Sequence, residues 1–345
     1  MRTLFGFLLV VPVAYAQAKS DPVYAVAESS LKTASGQIRQ FAFDGNPDTT
    51  FASDGKPGKD DQFTLTFDRP VTLKSVAVTT GRAKGDDALS SGVLQVSADG
   101  KAFTDAAKFA AGTAKAEPKK EVKAVRVVPG GDGPLVVREF AIESDPPVVP
   151  FKYPVEVVLD VTDAPEMKEW AEKVARVCER EYRMINEELK SDGFKPATVI
   201  QMALKKDYNG VAYAAGGRIV GAVKFFKEHP DDVGAFVHET AHVVQRYRTR
   251  NNPGWLVEGV ADYVRFIKYE PAKIGRINPD RAKYDASYRV TAAFLNAVAE
   301  KYDKDLVRKL NKAMREGEYK EDLWKEFTGK PLKELGDEWK ASLKK

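Results

Sequence analysis

The chain holds a single cysteine in 345 residues, so no disulfide can close within it, whatever the redox state of its surroundings. That residue, Cys178, lies at helical spacing with Trp170, Val174 and Tyr182 in DAPEMKEWAEKVARVCEREYRMINEEL, which predicts packing on an apolar helix face and not a catalytic thiol. Long basic blocks are missing as well. Lys and Arg number 54 against 50 Asp and Glu, the two signs are interspersed, and a net charge of +4 without an aromatic-basic motif gives no reason to expect nucleic acid as a partner. Beyond residue 18 no apolar run approaches the roughly 20 residues that cross a bilayer, so no membrane span is expected. Histidine and tryptophan are scarce, at 3 and 4, and no tryptophan precedes Trp170.

The length suits two domains, and 43% hydrophobic with 30% charged residues is the composition of a globular protein. The first eighteen residues, MRTLFGFLLVVPVAYAQA, combine Arg2, an apolar run from Leu4 to Val13, and the small-residue triplets Ala14-Tyr15-Ala16 and Ala16-Gln17-Ala18. They predict a cleaved secretory signal over 1–18 and an exported product, extracellular or periplasmic.

Two halves with different patterning follow. Residues 20–145 alternate apolar and polar positions in short runs, QFTLTFD, LKSVAVTTG, GVLQVSADGKAF, VKAVRVVPG and LVVREFAIES, punctuated by Gly, Pro, Asp and Asn. Period-two alternation at this turn density predicts an all-β antiparallel sandwich. DPPVVPFKYP then places four prolines in ten positions, which predicts a stiff linker over 146–154. Residues 155–345 predict an α+β domain: strands VEVVLDV and ATVIQMAL around the Cys178 helix, the hairpin GVAYAAGGRIVGAV, then amphipathic helices to the end.

The stretch HETAHVVQ carries the chemistry. His238 and His242 are one turn apart on one helix face, where two imidazoles can grip a single tetrahedral ion, and Glu239 lies beside them within reach of water at that ion. This is the H-E-x-x-H arrangement. Catalytic zinc takes three protein ligands, and only His229 remains as a further imidazole, so Glu258 on the next helix is the expected third ligand. Asp262, four residues on, falls where a carboxylate can accept the second N–H of a ligand imidazole, with His238 its expected partner. Zinc brings the pKa of water to about 7, and Glu239 as general base takes the proton and returns it to the leaving amine. Tyr213, Tyr263, Tyr288 and His229 are all open as further donors to the oxyanion. If the second strand of the hairpin is the sheet edge, an extended peptide can pair with it.

These residues, with WLVEGVADYVR, YRVTAAFLNAVAEKYD and FTGKPLKELGDEWK behind them, resemble the basic secretory protein family of plants and bacteria over roughly residues 150–343, zinc metallopeptidases of the gluzincin type. The resemblance implies a zincin-like peptidase domain with Zn2+ on His238, His242 and Glu258, Glu239 as base, Asp262 as the aspartate of the E-x-x-x-D pair, and a peptide or protein substrate. FAFDGNPDTTFAS, GVLQVSADGKAF and LVVREFAIES resemble a discoidin-like domain, the coagulation factor type C or galactose-binding-like jelly roll, over about residues 24–144. That resemblance implies a glycan or cell-surface ligand and a structural Ca2+ on Asp44, Asp48, Thr50 and Glu139, oxygen donors of the kind calcium takes. The sequence departs from the family at Phe51, where tryptophan is usual. Three functions compete: a secreted zinc metallopeptidase with an accessory sandwich, a surface or glycan-binding protein whose zincin-like domain is inactive, and a zinc amidase acting on cell-wall or glycopeptide bonds.

Overall fold

The computed structural model describes residues 21–249, 251–286 and 288–344; the expected signal segment, residues 1–18, lies outside them. The first half is an antiparallel sandwich of eight strands: β1 (Ala25–Ser29), β2 (Phe51–Ala52), β3 (Phe63–Thr80), β4 (Ser91–Ser97), β5 (Thr104–Lys108), β6 (Thr113–Ala116), β7 (Lys120–Gly130) and β8 (Val136–Asp145). The long β3 organises it, pairing with β1, β6, β7 and β8. Phe63, Leu65, Phe67, Val71 and Leu73 are buried at odd positions of β3, then Val76 and Val78 at even ones. The pairing with β8 shifts between Leu73 and Ser75, so one extra residue moves the following side chains to the other face and resets the alternation.

The second half is α+β. Its sheet runs β11-β12-β10-β9, with β9 (Glu156–Asp160), β10 (Val199–Lys205) and β12 (Arg218–Ala222) parallel and β11 (Ala212–Ala215) antiparallel at the edge. The edge strand is therefore the first strand of the hairpin, so the condition that the second strand be the edge is not met. β12 is held on both sides, because its run Ile219-Val220 is buried whereas Tyr213 of β11 is exposed. Helix α1 (Lys168–Glu188) covers the sheet with Ala171, Val174, Cys178, Tyr182 and Ile185. Cys178 is packed as expected, and burial pushes its thiol up to about 12, so it is no nucleophile at neutral pH. After the short α2 (Val223–Glu228) come α3 (Gly234–Gln245), α4 (Gly254–Tyr263), a π-helical turn at Val264–Tyr269, and α5 (Tyr288–Lys301), α6 (Leu306–Glu316), α7 (Asp322–Thr328) and α8 (Leu332–Ser342).

The proline-rich stretch between the halves is built into the fold. Val23 N–H donates to Pro147 O, Phe151 N–H donates to Phe43 O, and the Phe151 ring meets Phe43 edge-on at 6.0 Å. Buried polar groups then join the halves. Glu156 accepts the Arg39 N–H at 3.0 Å and the Thr33 hydroxyl at 2.8 Å, Val155 N–H donates to Gln40 Oε1 at 2.9 Å, and Glu179 takes Arg39 Nη2 at 2.8 Å and Arg176 Nη2 at 2.9 Å. Removing one partner of such a buried ion pair leaves a charge without compensation. Arg39→Met is expected to lower unfolding stability by about 3–5 kcal/mol, read as a drop in the urea midpoint. A drop below about 1 kcal/mol would put the cluster with ordinary surface pairs.

Candidate metal centre and cleft

The HETAHVVQ run folds as α3, nearly all of whose residues are buried, so packing holds it on every side. Asp232 lies at its N-terminal end and pairs with Arg265 of the π-helical turn, a favourable place for negative charge. At its other end Arg246 takes a left-handed conformation, φ 45°, and Arg315 of α6 donates to the terminal carbonyls of Val244 at 2.8 Å and Gln245 at 3.1 Å. Those carbonyls have no partner within the helix, so Arg315 closes it from outside. Helix α4 crosses nearby. It also comes so close to α5 that a Cβ on Gly259 would run into the Thr291 side chain.

The two helices bring three lone-pair donors together. His238 Nε2 and His242 Nε2 are 3.0 Å apart, and each is 3.2 Å from Glu258 Oε2. Among the described residues this is the one group of three or more His, Cys, Asp or Glu side chains close enough to share an ion. The triangle fits a tetrahedral ion, since bonds of about 2.0–2.1 Å at the tetrahedral angle separate neighbouring ligands by roughly 3.3 Å. Asp262 Oδ1 is 2.6 Å from His238 Nδ1. An ionised carboxylate can only accept, so that nitrogen carries the hydrogen and Nε2 faces the cluster. Burial disfavours charge on His238, but the hydrogen bonds to Asp262 and Glu258 outweigh it and raise its pKa to about 9. Burial likewise pushes Glu258 up, and hydrogen bonds from the two imidazoles more than reverse this, holding it well below the usual carboxylate range.

Glu239 is 7% exposed and points into the cleft beside the triangle. Burial raises its pKa, against the pull of His238 and His242. The cleft has a volume of about 1400 Å3 and runs between β11 and the start of α5. Of the four candidate donors to an oxyanion, Tyr213 and Tyr288 line it, and the Tyr288 ring lies 6.5 Å from that of His238. Tyr263 is buried under Lys268, and the His229 ring lies tilted against Phe225 at 4.6 Å, both outside the cleft lining.

Two contacts had no signal in the histidine and acid spacing. Gln245 Oε1 is 2.7 Å from His242 Nδ1, and the Tyr208 hydroxyl donates to Ala212 O on the outer side of β11 at 3.3 Å. Gln245 stands three residues beyond His242, and that helical spacing is the one clue the sequence offered.

In the sandwich, Asp44 and Glu139 come together and the other two expected calcium ligands do not join them. Glu139 Oε2 is buried without a hydrogen-bond partner, and burial, then the charge of Asp44, raises its pKa to about 7. Asp44 accepts the Asn46 N–H at 2.9 Å and the Thr49 hydroxyl. Asp48 is exposed, and the Thr50 hydroxyl is spent on Gln37 Oε1 at 2.8 Å. The short polar side chains of this turn satisfy one another locally.

The profile of a family described as "Peptidase of plants and bacteria" matches residues 161–339, and that of the F5/8 type C domain matches residues 25–139. No curated protein matches the chain. Among solved structures, CBM32-1 from a family 31 glycoside hydrolase of Clostridium perfringens is 17% identical, with a TM-score of 0.31 over 37% of this chain and 97% of its own. A chitosan-binding module 1 from a chitosanase/glucanase of Paenibacillus sp. IK-5 is 22% identical, with a TM-score of 0.29 over 34% of this chain and 91% of its own.

Proposed function

The chain belongs to the family of peptidases of plants and bacteria, and on that premise we propose that it is a secreted, zinc-dependent peptidase with Glu239 as its general base. The observation that carries the reading is the triangle of His238, His242 and Glu258 in an open cleft, with Glu239 beside it. Two imidazoles, one carboxylate and space for a further ligand are the donor set of catalytic zinc. A bound zinc ion supplies Lewis acidity, which acidifies water and polarises a carbonyl. Glu239 accepts one proton from the attacking water and delivers it to the amide nitrogen as the C–N bond breaks. Its raised pKa suits a group that must hold a proton and then release it. Asp262 keeps His238 in the ligand tautomer. An extended substrate adds alongside β11, whose outer edge borders the cleft.

The test is incubation of the mature protein with a denatured protein and, separately, with purified cell wall, followed by mass spectrometry of new termini. New peptide termini that disappear in Glu239→Gln support the reading, and slower cleavage of backbone N-methylated peptides supports pairing with β11. Release from cell wall alone favours the amidase, and no product from either favours the binding protein.

The pH dependence of zinc binding follows from His238. In the metal-free protein its proton is held up to pH about 9 and must leave when the ion takes Nε2. Apparent zinc affinity is expected to rise by about tenfold per pH unit for that proton and to level off above the pKa. A titration calorimetry series in buffers of different ionisation heat reads the proton released. Flat affinity between pH 7 and 9 would contradict it.

The sandwich is proposed to carry a glycan or cell-surface ligand and a calcium ion on Asp44 and Glu139, the latter with an oxygen in want of a partner. Raising the Glu139 pKa from 4.5 to about 7 gives the fold stability that is fully present below 4.5 and lost as pH rises through about 7. Calcium, by pairing the ionised carboxylate, is expected to raise the melting temperature above pH 7 and to do nothing at pH 4.5. Equal melting with and without calcium at pH 8 would remove the ion, and a glycan array reads the ligand.

A further inference from the structure

Gln245 is 1% exposed, and both ends of its amide are engaged. Nε2 donates to Val257 O at 2.8 Å, and Oε1 faces His242 Nδ1 at 2.7 Å. We propose that Gln245 is a positioning residue which fixes His242 in the ligand tautomer and couples it to the turn that presents Glu258. The proposal rests on the reading of the triangle as a zinc centre.

The Val257 carbonyl can only accept, so the amide nitrogen of Gln245 must be the end that meets it, and the amide oxygen is left facing the imidazole. That oxygen too can only accept. His242 Nδ1 therefore carries the hydrogen, and Nε2 turns its lone pair toward His238 Nε2 and Glu258 Oε2. His238 is oriented by a charged partner, Asp262, and His242 by a neutral one, so the second ligand is aligned without adding negative charge to a half-buried site that already holds Glu239, Glu258 and Asp262. Val257 is the residue before Glu258, so one side chain spans from the second ligand to the third. The backbone of Gln245 is itself anchored, because its carbonyl takes Arg315 Nε at 3.1 Å. A partner that hydrogen-bonds a ligand imidazole typically contributes 10-fold to 100-fold in metal affinity or activity.

Two substitutions separate alignment from packing. Gln245→Met keeps the length and fills the space but makes neither bond, whereas Gln245→Glu keeps the acceptor for His242 and loses the donor to Val257 O. The mature protein, labelled with 15N in its histidine rings and free of metal, gives a simple spectrum because the chain has 3 histidines. Zinc affinity is measured on the same samples with zinc alone, by competition with a chelator. The wild type is expected to show His242 with hydrogen on Nδ1, and Gln245→Met to show mixed tautomers and a loss of about 10-fold to 100-fold in zinc affinity. Gln245→Glu is expected to restore the wild-type ring pattern and the larger part of the affinity. An unchanged His242 pattern in Gln245→Met, with or without a loss of zinc, would overturn the proposal, because packing alone would then account for the residue. Failure of the wild type to take up zinc defeats the zinc reading instead, and the ring spectra of the metal-free protein still decide whether Gln245 sets His242.

Discussion

Glu239→Gln is expected to keep its zinc and lose about 10^2-fold to 10^4-fold in turnover, the usual contribution of a positioned general base. The carboxamide has the shape of the carboxylate and does not touch the triangle, so the three ligand atoms stay where they are. What it loses is a basic oxygen beside His238 and His242, imidazoles that would not be free to act as bases once they hold a metal ion. The substitution also removes a buried carboxyl whose pKa burial has raised. Stability is thus expected to hold or rise, and a dead enzyme that melts no lower than the wild type separates loss of chemistry from loss of fold. Wild-type kcat in a zinc-loaded Glu239→Gln protein would take Glu239 out of the mechanism.

Glu258→Ala is expected to weaken zinc binding by more than about 100-fold, beyond the upper end of what removing a ligand's hydrogen-bond partner costs. One of three ligand atoms disappears, and the two Nε2 atoms that remain, 3.0 Å apart, span one edge of a coordination tetrahedron. The graded control is Asp262→Asn, which leaves all three ligands and disturbs the 2.6 Å contact to His238. It is expected to lose about 10-fold to 100-fold. Chelator competition on the two variants reads the order directly. Equal losses, or a larger one in Asp262→Asn, would mean that Glu258 is not a ligand.

Much of this centre was legible because its spacing is local. Two histidines four apart share a helix face wherever that helix goes, and Glu258 with Asp262 repeats the spacing on the next helix. That the two faces meet is a tertiary fact, and scarcity pointed to it: with only His229 left as a further imidazole, a carboxylate was the expected third ligand. The sheet edge was not legible, since GVAYAAGGRIVGAV specifies a hairpin but not which of its strands meets β10, a pairing between residues seventeen positions apart. Gln245 offered only its spacing from His242, because its other contact is to a carbonyl twelve residues on, a group every residue has. The Arg39, Glu156 and Glu179 cluster likewise joins residues more than a hundred positions apart. In the sandwich, resemblance named Asp44 and Glu139 together with Asp48 and Thr50, and the hydrogen bond of the Thr50 hydroxyl to Gln37, thirteen residues earlier, had no signal in the sequence.

Hydrolysis is expected to depend on zinc held by the triangle of His238, His242 and Glu258, and the measurement is a zinc titration of metal-free protein in which bound metal and peptide cleavage are followed together. Both signals should rise in step and break at one zinc per chain, and His238→Ala should show neither. Cleavage at full rate before zinc is added, or zinc bound in equal amount by His238→Ala, would mean that the triangle is not the zinc site of an enzyme.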